Sequence, residues 1–397
     1  MRPLRFLQLG DVHFGAPMRG GRLRLDAEAA RTRARERRAA FARAFEVVIE
    51  RELDGVLVPG DLFDDESIDT DTLRFVAHTM QSIAPRPVFV APGNHDPYGG
   101  ASPYRTVGQE DARGVRWPDN VHVFAHADFR TVAWPGRDDV HVTGSGVATN
   151  SPDATRVLRE RVAREGDGLH LLLFHGSRDD GHFLQPEKAT HPFSREELLA
   201  QDFDWVALGH YHQRDVILDD GGRARAAYGG CLIAGGLDEC GARGALVVDL
   251  DPGSTHVEAL PLDPRQIHAV DLDITGAEFT EELRARLDRA LESAGVRAQD
   301  LVHVRVLGRR ARGLDLRALD RHAADTFHLR IDASRVRAAV DPAEFPSLED
   351  AVTTEERFVA TLRDDPPRDV PADRVHRALL YGLDALEHGR LDARYEE

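Results

Sequence analysis

Short apolar runs alternate with longer amphipathic stretches through the first part of the chain. The apolar runs predict buried strands at 5–9, 55–58, 87–91, 169–174 and 205–208. Helical periodicity and capping residues predict helices between them, at 26–52, 70–83 and 151–164. Strands that alternate with helices in this way are typical of an α/β architecture.

The pattern changes after residue 204, where short runs are separated by turns rich in glycine and aspartate. These runs predict β-hairpins with strands at 216–218, 226–228, 244–250 and 256–260. The segment 261–265, which contains two prolines, then interrupts the pattern. We therefore place a first domain at 1–264.

A small α+β domain is predicted at 265–341 and a helical tail at 342–397. The small domain combines a predicted helix at 278–293 with strands at 269–274, 302–307 and 327–331. The tail holds two helical patterns, at 347–363 and 372–388. An apolar stripe follows the last helix at Val375, Leu379, Leu383 and Leu386. Such a helix ordinarily packs on its own domain, and docking onto a partner protein is the alternative interpretation.

Composition narrows the possible functions. The chain has 397 residues, is 42% hydrophobic and carries a formal net charge of −17. The apolar content suffices for folded domains. The acidic balance argues against an autonomous module that binds nucleic acid non-specifically, because attraction to phosphate drives such binding. It does not exclude a nuclease in which metal ions and local basic patches supply the positive charge.

Cysteine content and apolar run length bear on the cellular compartment. Cys231 and Cys240 are the only cysteines, so nothing indicates a disulfide framework. The N-terminal residues do not show the pattern of a signal peptide. The longest apolar stretches, such as 169–174, are too short to span a bilayer. We expect a cytoplasmic protein that does not insert into membranes.

Polar residues with metal-binding side chains follow several of the predicted strands. They occur in five segments, Asp11-Val12-His13, Gly60-Asp61, Gly93-Asn94-His95-Asp96, Phe174-His175-Gly176 and Gly209-His210-Tyr211-His212. Because loops at strand ends meet at a common edge of an α/β sheet, these side chains can converge. Carboxylate, amide and imidazole ligands that converge in this number are typical of a two-metal phosphoesterase site.

Each segment alone has an ordinary structural explanation. Asp61 can bridge two cations through its two oxygens, but it could instead cap a helix. His175 ends a very apolar run, where a single histidine is more often a hydrogen-bonded structural residue. The residues around Asn94 are also common in turns, which explains their composition but not the presence of His95. The ordered occurrence of all five segments favours the metal site.

The five segments resemble the motifs of the calcineurin-like metallophosphoesterase superfamily over about the first 250 residues. Two stretches, 60–63 and 205–212, look like the SbcD-type DNA repair exonuclease branch, as does Tyr228-Gly229-Gly230-Cys231 followed by Gly244-Ala245-Leu246-Val247. The resemblance implies a four-layer αββα sandwich with a small α+β cap domain and a helical C-terminal tail.

The resemblance also implies roles for individual residues. One metal ion would be held by Asp11, His13, Asp61 and His212. The other would be held by Asp61, Asn94, His175 and His210. His95 would act on the phosphate as an acid or a transition-state stabiliser, and Asp96 would orient its imidazole. The cofactors would be two divalent ions, with Mn²⁺ favoured because the ligands are rich in nitrogen.

Two features bear on DNA binding. Members of the resembling branch often carry a histidine soon after the segment 60–63, whereas this chain has the acidic run 64–67 there. That run weakens the case for a processive exonuclease more than the case for phosphodiesterase chemistry. A basic stretch that includes Arg19, Arg22 and Arg24 follows the first motif. It is either a solvated helix surface or a patch that positions phosphate.

The sequence therefore predicts a metal-dependent phosphodiesterase that hydrolyses DNA with a hydroxide bridging the two metals, as an exo- or endonuclease in DNA repair. The resemblance implies DNA as a partner, together with an SbcC-like coiled-coil ATPase of the SMC type, and it implies a homodimer. One alternative is a calcineurin-like phosphatase or cyclic-nucleotide phosphodiesterase for a small substrate. Another is a metal-stabilised scaffold subunit with little catalysis.

Overall fold

The structure is a computed structural model that describes residues 2–18, 23–64, 68–99, 102–106, 114–179, 189–311, 314–320, 326–338 and 342–388. The chain divides into two compact units, Met1–Gln266 and Ile267–Glu397. The predicted border at 341/342 falls inside the second unit, and the three-domain division stays a prediction.

The first unit contains both strands and helices. In chain order they are β1 (Leu4–Gln8), α1 (Ala27–Glu50), β2 (Gly55–Val58), α2 (Thr70–Gln81), β3 (Val88–Val90), β4 (Val121–Val123), β5 (Arg130–Trp134), β6 (Arg137–Gly144), β7 (Leu169–His175), α3 (Arg195–Leu199), β8 (Trp205–Gly209), β9 (Asp215–Leu218), β10 (Ala224–Tyr228), β11 (Gly244–Asp251) and β12 (Ser254–Pro261).

The strands of the first unit form two sheets of six. The first has the order β12-β11-β1-β2-β3-β4, and β1 to β4 run parallel in it. The second has the order β5-β6-β7-β8-β10-β9, with β6, β7, β8 and β10 parallel. Parallel neighbours bring their carboxyl ends to one edge, so the residues that follow β1, β2, β7 and β8 are gathered there.

The two sheets pack face to face through a shared apolar core. Leu57 and Phe89 of the first sheet belong to the same buried cluster as Leu171 and Trp205 of the second. Because strand side chains alternate, the neighbouring residues face outward. On the outside of the second sheet, Phe174 packs with residues of α3 and of the preceding loops. On the first sheet, α1 contacts β1. The unit is a mixed α/β, layered structure, as predicted.

The helix predicted at 151–164 is absent, because tertiary contacts determine the conformation of this segment instead. Leu158 and Val162 are buried in the core outside the second sheet. The backbone amide of Val162 donates to the side chain of Gln201 at 2.8 Å, and Arg156 pairs with Asp179 and Glu197. These long-range contacts outweigh a helical preference that amounts to only tenths of a kcal/mol per residue, about 0–0.7.

The second unit is built from β13 (Ile267–Asp273), α4 (Thr280–Ser293), β14 (Leu301–Arg310), α5 (Arg317–Asp320), β15 (His328–Ala338), α6 (Thr354–Asp364) and α7 (Ala372–His388). Its three strands form a parallel sheet in the order β13-β14-β15. Leu283, Leu287 and Leu291 of α4 pack against Val302, Val304 and Val306 of β14. None of the helices within the described residues is long and apolar enough to span a membrane.

Candidate metal centre

Strained turns at the ends of the strands hold several of the predicted ligands. Asp11, His13 and Asp61 have φ angles of 49°, 53° and 52°, in the left-handed region. A non-glycine residue there costs about 1–3 kcal/mol and persists only where surrounding contacts impose it. The backbone amides of Val12 and His13 both donate to the carbonyl of Asp61, at 2.9 and 3.0 Å. The first two motifs therefore fix each other's backbone.

Glycine is required where these turns approach one another. A Cβ on Gly60, whose φ is +99°, would lie 2.2 Å from Nδ1 of His175. A Cβ on Gly93 would lie 2.2 Å from Oδ1 of Asp61. Any other residue at either position would displace a predicted ligand.

We call Asp11, His13 and His212 the first ligand group, because their ligand atoms all lie within 4.8 Å of one another. Nε2 of His13 lies 3.0 Å from Nε2 of His212. Nδ1 of His13 lies 2.9 Å from a carboxylate oxygen of Asp64, and Nδ1 of His212 lies 2.7 Å from one of Glu239. A carboxylate accepts a hydrogen, so in each neutral ring Nδ1 is the protonated atom.

This arrangement fits a cation. With Nδ1 protonated in both rings, the two Nε2 lone pairs point at each other across 3.0 Å, which is repulsive without a positive charge between them. Oδ1 of Asp11 accepts a hydrogen bond from the amide of His210. Oδ2 of Asp11 is buried and has no hydrogen-bond partner among the described residues. Three electron-pair donors thus face a common point.

We call Asp61, Asn94, His175 and His210 the second ligand group. Asp61, His175 and His210 bring their ligand atoms within 4.8 Å of one another. Oδ1 of Asn94 lies 3.0 Å from Nε2 of His175 and 2.9 Å from Nδ1 of His210. Nδ1 of His175 lies 2.8 Å from the carbonyl of Pro59 and donates to it, which leaves Nε2 as an electron-pair donor toward the site.

Asp61, a member of the second group, also faces the first group. Its Oδ2 is 3.8 Å from Nε2 of His13 and 3.5 Å from Nε2 of His175. Its Oδ1 accepts a hydrogen bond from the amide of His95 at 2.9 Å. One oxygen of Asp61 therefore faces histidines of both groups, as a ligand shared by two ions would.

The protonation states of Asp61 and His210 suit metal binding. Burial alone would raise the pKa of Asp61, but the imidazoles of His175 and His13 outweigh burial and hold that pKa well below its usual range. Burial and the neighbouring His175 lower the pKa of His210 to about 3. Asp61 is therefore ionised and His210 neutral at neutral pH, the forms in which each binds a metal ion.

His95 stands beside both groups with its ring partly exposed. Its Nδ1 lies 3.3 Å from Oδ1 of Asp64, and its side chain is 47% exposed. The hydrogen bond with Asp64 raises the pKa of His95 to about 9. A positively charged imidazole that can reach solvent is suited to contact a phosphate group.

The structure gives Asp96 a different position from the one predicted. We predicted that its carboxylate orients the ring of His95, but both of its oxygens are engaged elsewhere. Oδ1 accepts the amides of Asp61 and Gly93, and Oδ2 accepts the amides of Leu62 and Phe63 and the hydroxyl of Tyr104. Asp96 therefore anchors the turns that carry Asp61 and Asn94, and the carboxylate beside the His95 ring is Asp64.

Two carboxylates near the ligand groups were not predicted as site residues. The sequence indicates Asp64 only as negative charge in the path of DNA, yet it contacts the imidazoles of both His13 and His95. Glu239 was not singled out at all. A pattern that could have drawn attention to Asp64 is its position three residues after Asp61. Glu239 follows a glycine pair in an irregular segment, which gave no comparable indication.

A cleft of about 560 Å³ opens over the ligand groups. Its described lining includes His95, Asp64 and Glu239, together with Asn150 and Thr190. Of the arginines proposed to bind DNA, Arg19 and Arg22 lie outside the described residues. Arg24 is exposed and is not among the described residues that line the cleft.

Comparisons with known proteins agree with this geometry. A family model described as calcineurin-like phosphoesterase matches residues 4–214, more than half of the chain. An uncharacterized metallophosphoesterase of Bacillus subtilis, YhaO, is 25% identical over 262 residues, covering 64% of this chain and 59% of that protein. The DNA double-strand break repair protein Mre11 of Haloferax volcanii is 29% identical over 266 residues, covering 64% of this chain and 54% of that protein.

The chain thus spans less than two thirds of the length of these two relatives. Among solved structures, that of TT1561 from Thermus thermophilus aligns with a TM-score of 0.39 and 12% identity. The alignment covers 66% of this chain and 100% of TT1561.

Proposed function

Because the chain belongs to the calcineurin-like phosphoesterase family, we propose that it is a two-metal phosphodiesterase, and specifically a DNA nuclease of SbcD-like type. The observation that carries this proposal is the pair of ligand groups that share Asp61. Each group presents electron pairs that face one another at about hydrogen-bond distance, 3.0 Å in both cases. Such pairs are repulsive unless a metal ion or a proton lies between them.

The residues of the site would have different roles in hydrolysis. Asp11, His13, Asp61 and His212 would hold one divalent ion, and Asp61, Asn94, His175 and His210 the other. Such ions lower the pKa of a bound water toward ~7 and stabilise charge on phosphoryl oxygens. His95 would donate a hydrogen bond or proton to the phosphate from its exposed edge. Asp64 would hold the His95 ring in place, the role first assigned to Asp96.

The charges around the cleft are compatible with a phosphodiester substrate. Asp64 belongs to the acidic run that weighed against DNA binding, but its carboxylate is paired with the rings of His13 and His95. The ion pair between Asp64 and the positively charged ring of His95 lowers the repulsion that Asp64 would exert on an approaching phosphate. The similarity to a protein named for DNA double-strand break repair further supports DNA as the substrate.

The remaining assignments follow from the same proposal. Mn²⁺ is the preferred ion, since four imidazoles contribute to the two groups. The ATPase partner would be an SbcC-like coiled-coil protein of the SMC type, and the chain would act as a homodimer. We place ATPase docking on the C-terminal tail, where α6 and α7 pack together beside a groove lined by Leu362, Val375 and Leu379.

Hydrolysis of three substrates in the presence of Mn²⁺ tests the proposal. They are end-labelled single-stranded DNA, bis-p-nitrophenyl phosphate and the monoester p-nitrophenyl phosphate. We expect cleavage of DNA and of the diester, abolished by EDTA and by Asn94→Ala or His95→Ala. His256→Ala, on β12, serves as the control and should retain activity. Cleavage of the monoester alone would establish the phosphatase alternative instead, and no cleavage of any substrate would establish the scaffold.

A further inference from the structure

Glu239 is a buried carboxylate that the proposed hydrolysis does not use directly. Its side chain is 5% exposed. One oxygen, Oε1, lies 2.7 Å from Nδ1 of His212. The other, Oε2, accepts the amides of Gly235 at 2.6 Å and Gly236 at 3.1 Å and lies 3.6 Å from the thiol of Cys231. Both oxygens are therefore engaged, which is how a buried carboxylate is tolerated.

We infer that Glu239 is a positioning residue that sets the tautomer of His212 and so determines how tightly the first ligand group binds a divalent cation. This inference rests on the proposed function, because it assumes that the group holds a metal ion. Glu239 itself is not proposed as a ligand. Its Oε1 accepts the hydrogen of Nδ1 of His212, and its Oε2 is taken by two amides.

The tautomer matters because only one of the two leaves an electron pair at the metal position. When the neutral ring of His212 donates from Nδ1 to Glu239, its Nε2 is unprotonated and faces Nε2 of His13 at 3.0 Å. The other tautomer would put a hydrogen on Nε2, where the cation should be. It would also turn the lone pair of Nδ1 toward a buried anion, an arrangement that is doubly unfavourable. A carboxylate behind a metal-binding histidine also makes the ring a stronger donor.

The second ligand group gives a built-in comparison. Its His175 has its Nδ1 fixed by the neutral carbonyl of Pro59 rather than by a carboxylate. Loss of the Glu239 carboxylate should therefore weaken binding at the first group and leave the second nearly unchanged. A general weakening of the fold would affect both groups alike.

Glu239→Gln is the sharpest substitution, because glutamine offers one acceptor oxygen where Glu239 uses two. If the amide oxygen faces His212, the amide NH₂ faces the amides of Gly235 and Gly236, donor against donor. If the side chain flips, Nδ1 of His212 loses its acceptor. In either orientation, the glutamine leaves the hydrogen-bond donors on one side of it without an acceptor. Glu258→Gln is the matched control, since Glu258 is a 45% exposed residue of β12 that pairs with Arg51.

Titration of the metal-free full chain with Mn²⁺, followed by calorimetry, measures each site without reference to any substrate. We expect two ions to bind the unaltered chain and Glu258→Gln with the same affinities. Glu239→Gln should bind one ion as before and the other ~10–100-fold more weakly. Unchanged affinities at both sites in a folded Glu239→Gln chain would overturn the inference. An unaltered chain that binds no Mn²⁺ would instead overturn the proposed function.

A second measurement applies if Glu239→Gln does not fold. In the unaltered chain loaded with Zn²⁺, which does not broaden resonances, nuclear magnetic resonance of ¹⁵N-labelled histidine reports the tautomer of each ring. We expect His212 to carry its hydrogen on Nδ1, with slow exchange because of the bond to Glu239. A hydrogen on Nε2, or rapid exchange at Nδ1, would contradict the assignment.

Discussion

The two ligand groups differ in what stands behind their histidines. In the first group, His13 and His212 are each backed by a carboxylate, from Asp64 and Glu239. In the second group, His175 is backed by a backbone carbonyl and is fully buried. Both groups combine buried and partly exposed residues, with His212 partly exposed in the first and Asn94 and His210 in the second.

The difference separates two ways of fixing an imidazole. A backbone carbonyl is held by the main chain, so it orients a ring rigidly but adds no charge. A carboxylate adds negative charge near the ion and can be lost by one substitution. We therefore expect the second group to be fixed mainly by the fold, and the first to depend on side chains that can vary independently of the fold.

The largest effect is expected when the ligand that faces both groups, Asp61, loses its charge. Asp61→Asn keeps the shape of the side chain and the acceptor for the amide of His95 but removes the charge that both groups share. We expect both Mn²⁺ affinities to fall and diester hydrolysis to drop by more than ~100-fold, beyond the effect of losing a residue behind a ligand. Calorimetry with Mn²⁺ and a diester assay check this. Loss of only one ion would show that Asp61 is not shared.

Asp64→Asn should affect the first group and His95 together. The rings of His13 and His95 both contact Oδ1 of Asp64, so the oxygen of asparagine can keep both contacts, but asparagine carries no charge. We expect kcat for diester hydrolysis to fall ~10–100-fold, with a smaller change in KM, and the second Mn²⁺ to bind as before. Steady-state kinetics and calorimetry on the same preparation measure both.

Asp54→Asn is the control for Asp64→Asn. The carboxylate of Asp54 accepts from the backbone amide of Arg5 and lies away from the ligand groups. An unchanged kcat in Asp64→Asn, or equal loss of both ions, would contradict the contrast between the groups.

Tyr104→Phe tests whether Asp96 belongs to the scaffold rather than to the chemistry. The Tyr104 hydroxyl donates to the buried Asp96 carboxylate at 2.6 Å, so its removal leaves that carboxylate with one donor fewer. We expect the free energy of unfolding to fall by about 1–3 kcal/mol with both Mn²⁺ ions still bound. Tyr211→Phe, at a hydroxyl that donates to the carbonyl of Arg178, should cost less. A selective loss of kcat without loss of stability would return Asp96 to the role first predicted.

The sequence predicted the parts of this centre that follow a strand. Apolar runs located β1, β2, β7 and β8, and the residues after them supplied the ligands that the structure brings together. The roles of Asp64 and Asp96 were harder to assign, because adjacency in sequence suggested that Asp96 serves its neighbour His95. In the turn, backbone geometry directs Asp96 to four amides instead, and a residue from another loop reaches the ring.

Other features depend on contacts between distant segments and have no local pattern. The segment 151–164 has helical periodicity, yet it packs as an irregular loop because Leu158, Val162 and Arg156 find partners elsewhere. Glu239 reaches His212 only after the chain passes from β8 through β9 and β10. Neither periodicity nor motif spacing contains that information, since both describe neighbours along the chain.

The smallest expected effect concerns Cys231, whose thiol contacts the Glu239 carboxylate behind His212 of the first group. Its thiol is buried and lies 3.6 Å from Oε2 of Glu239, a weak contact beside the two amides that hold the same oxygen. Cys231→Ser should therefore weaken Mn²⁺ binding at the first group less than ~3-fold, well below the ~10-fold minimum expected for losing the carboxylate itself. The second group should not change.

Cys240→Ser, at an exposed cysteine, is the matched control for Cys231→Ser and should bind both ions as the unaltered chain does. Calorimetry with Mn²⁺ on the two variants decides between two ways of holding Glu239. If Cys231→Ser weakens the first site as strongly as Glu239→Gln does, the thiol rather than the amides of Gly235 and Gly236 holds the carboxylate. The first group would then depend on Cys231, a side chain behind Glu239. It would differ even more from the second group, in which a backbone carbonyl fixes His175.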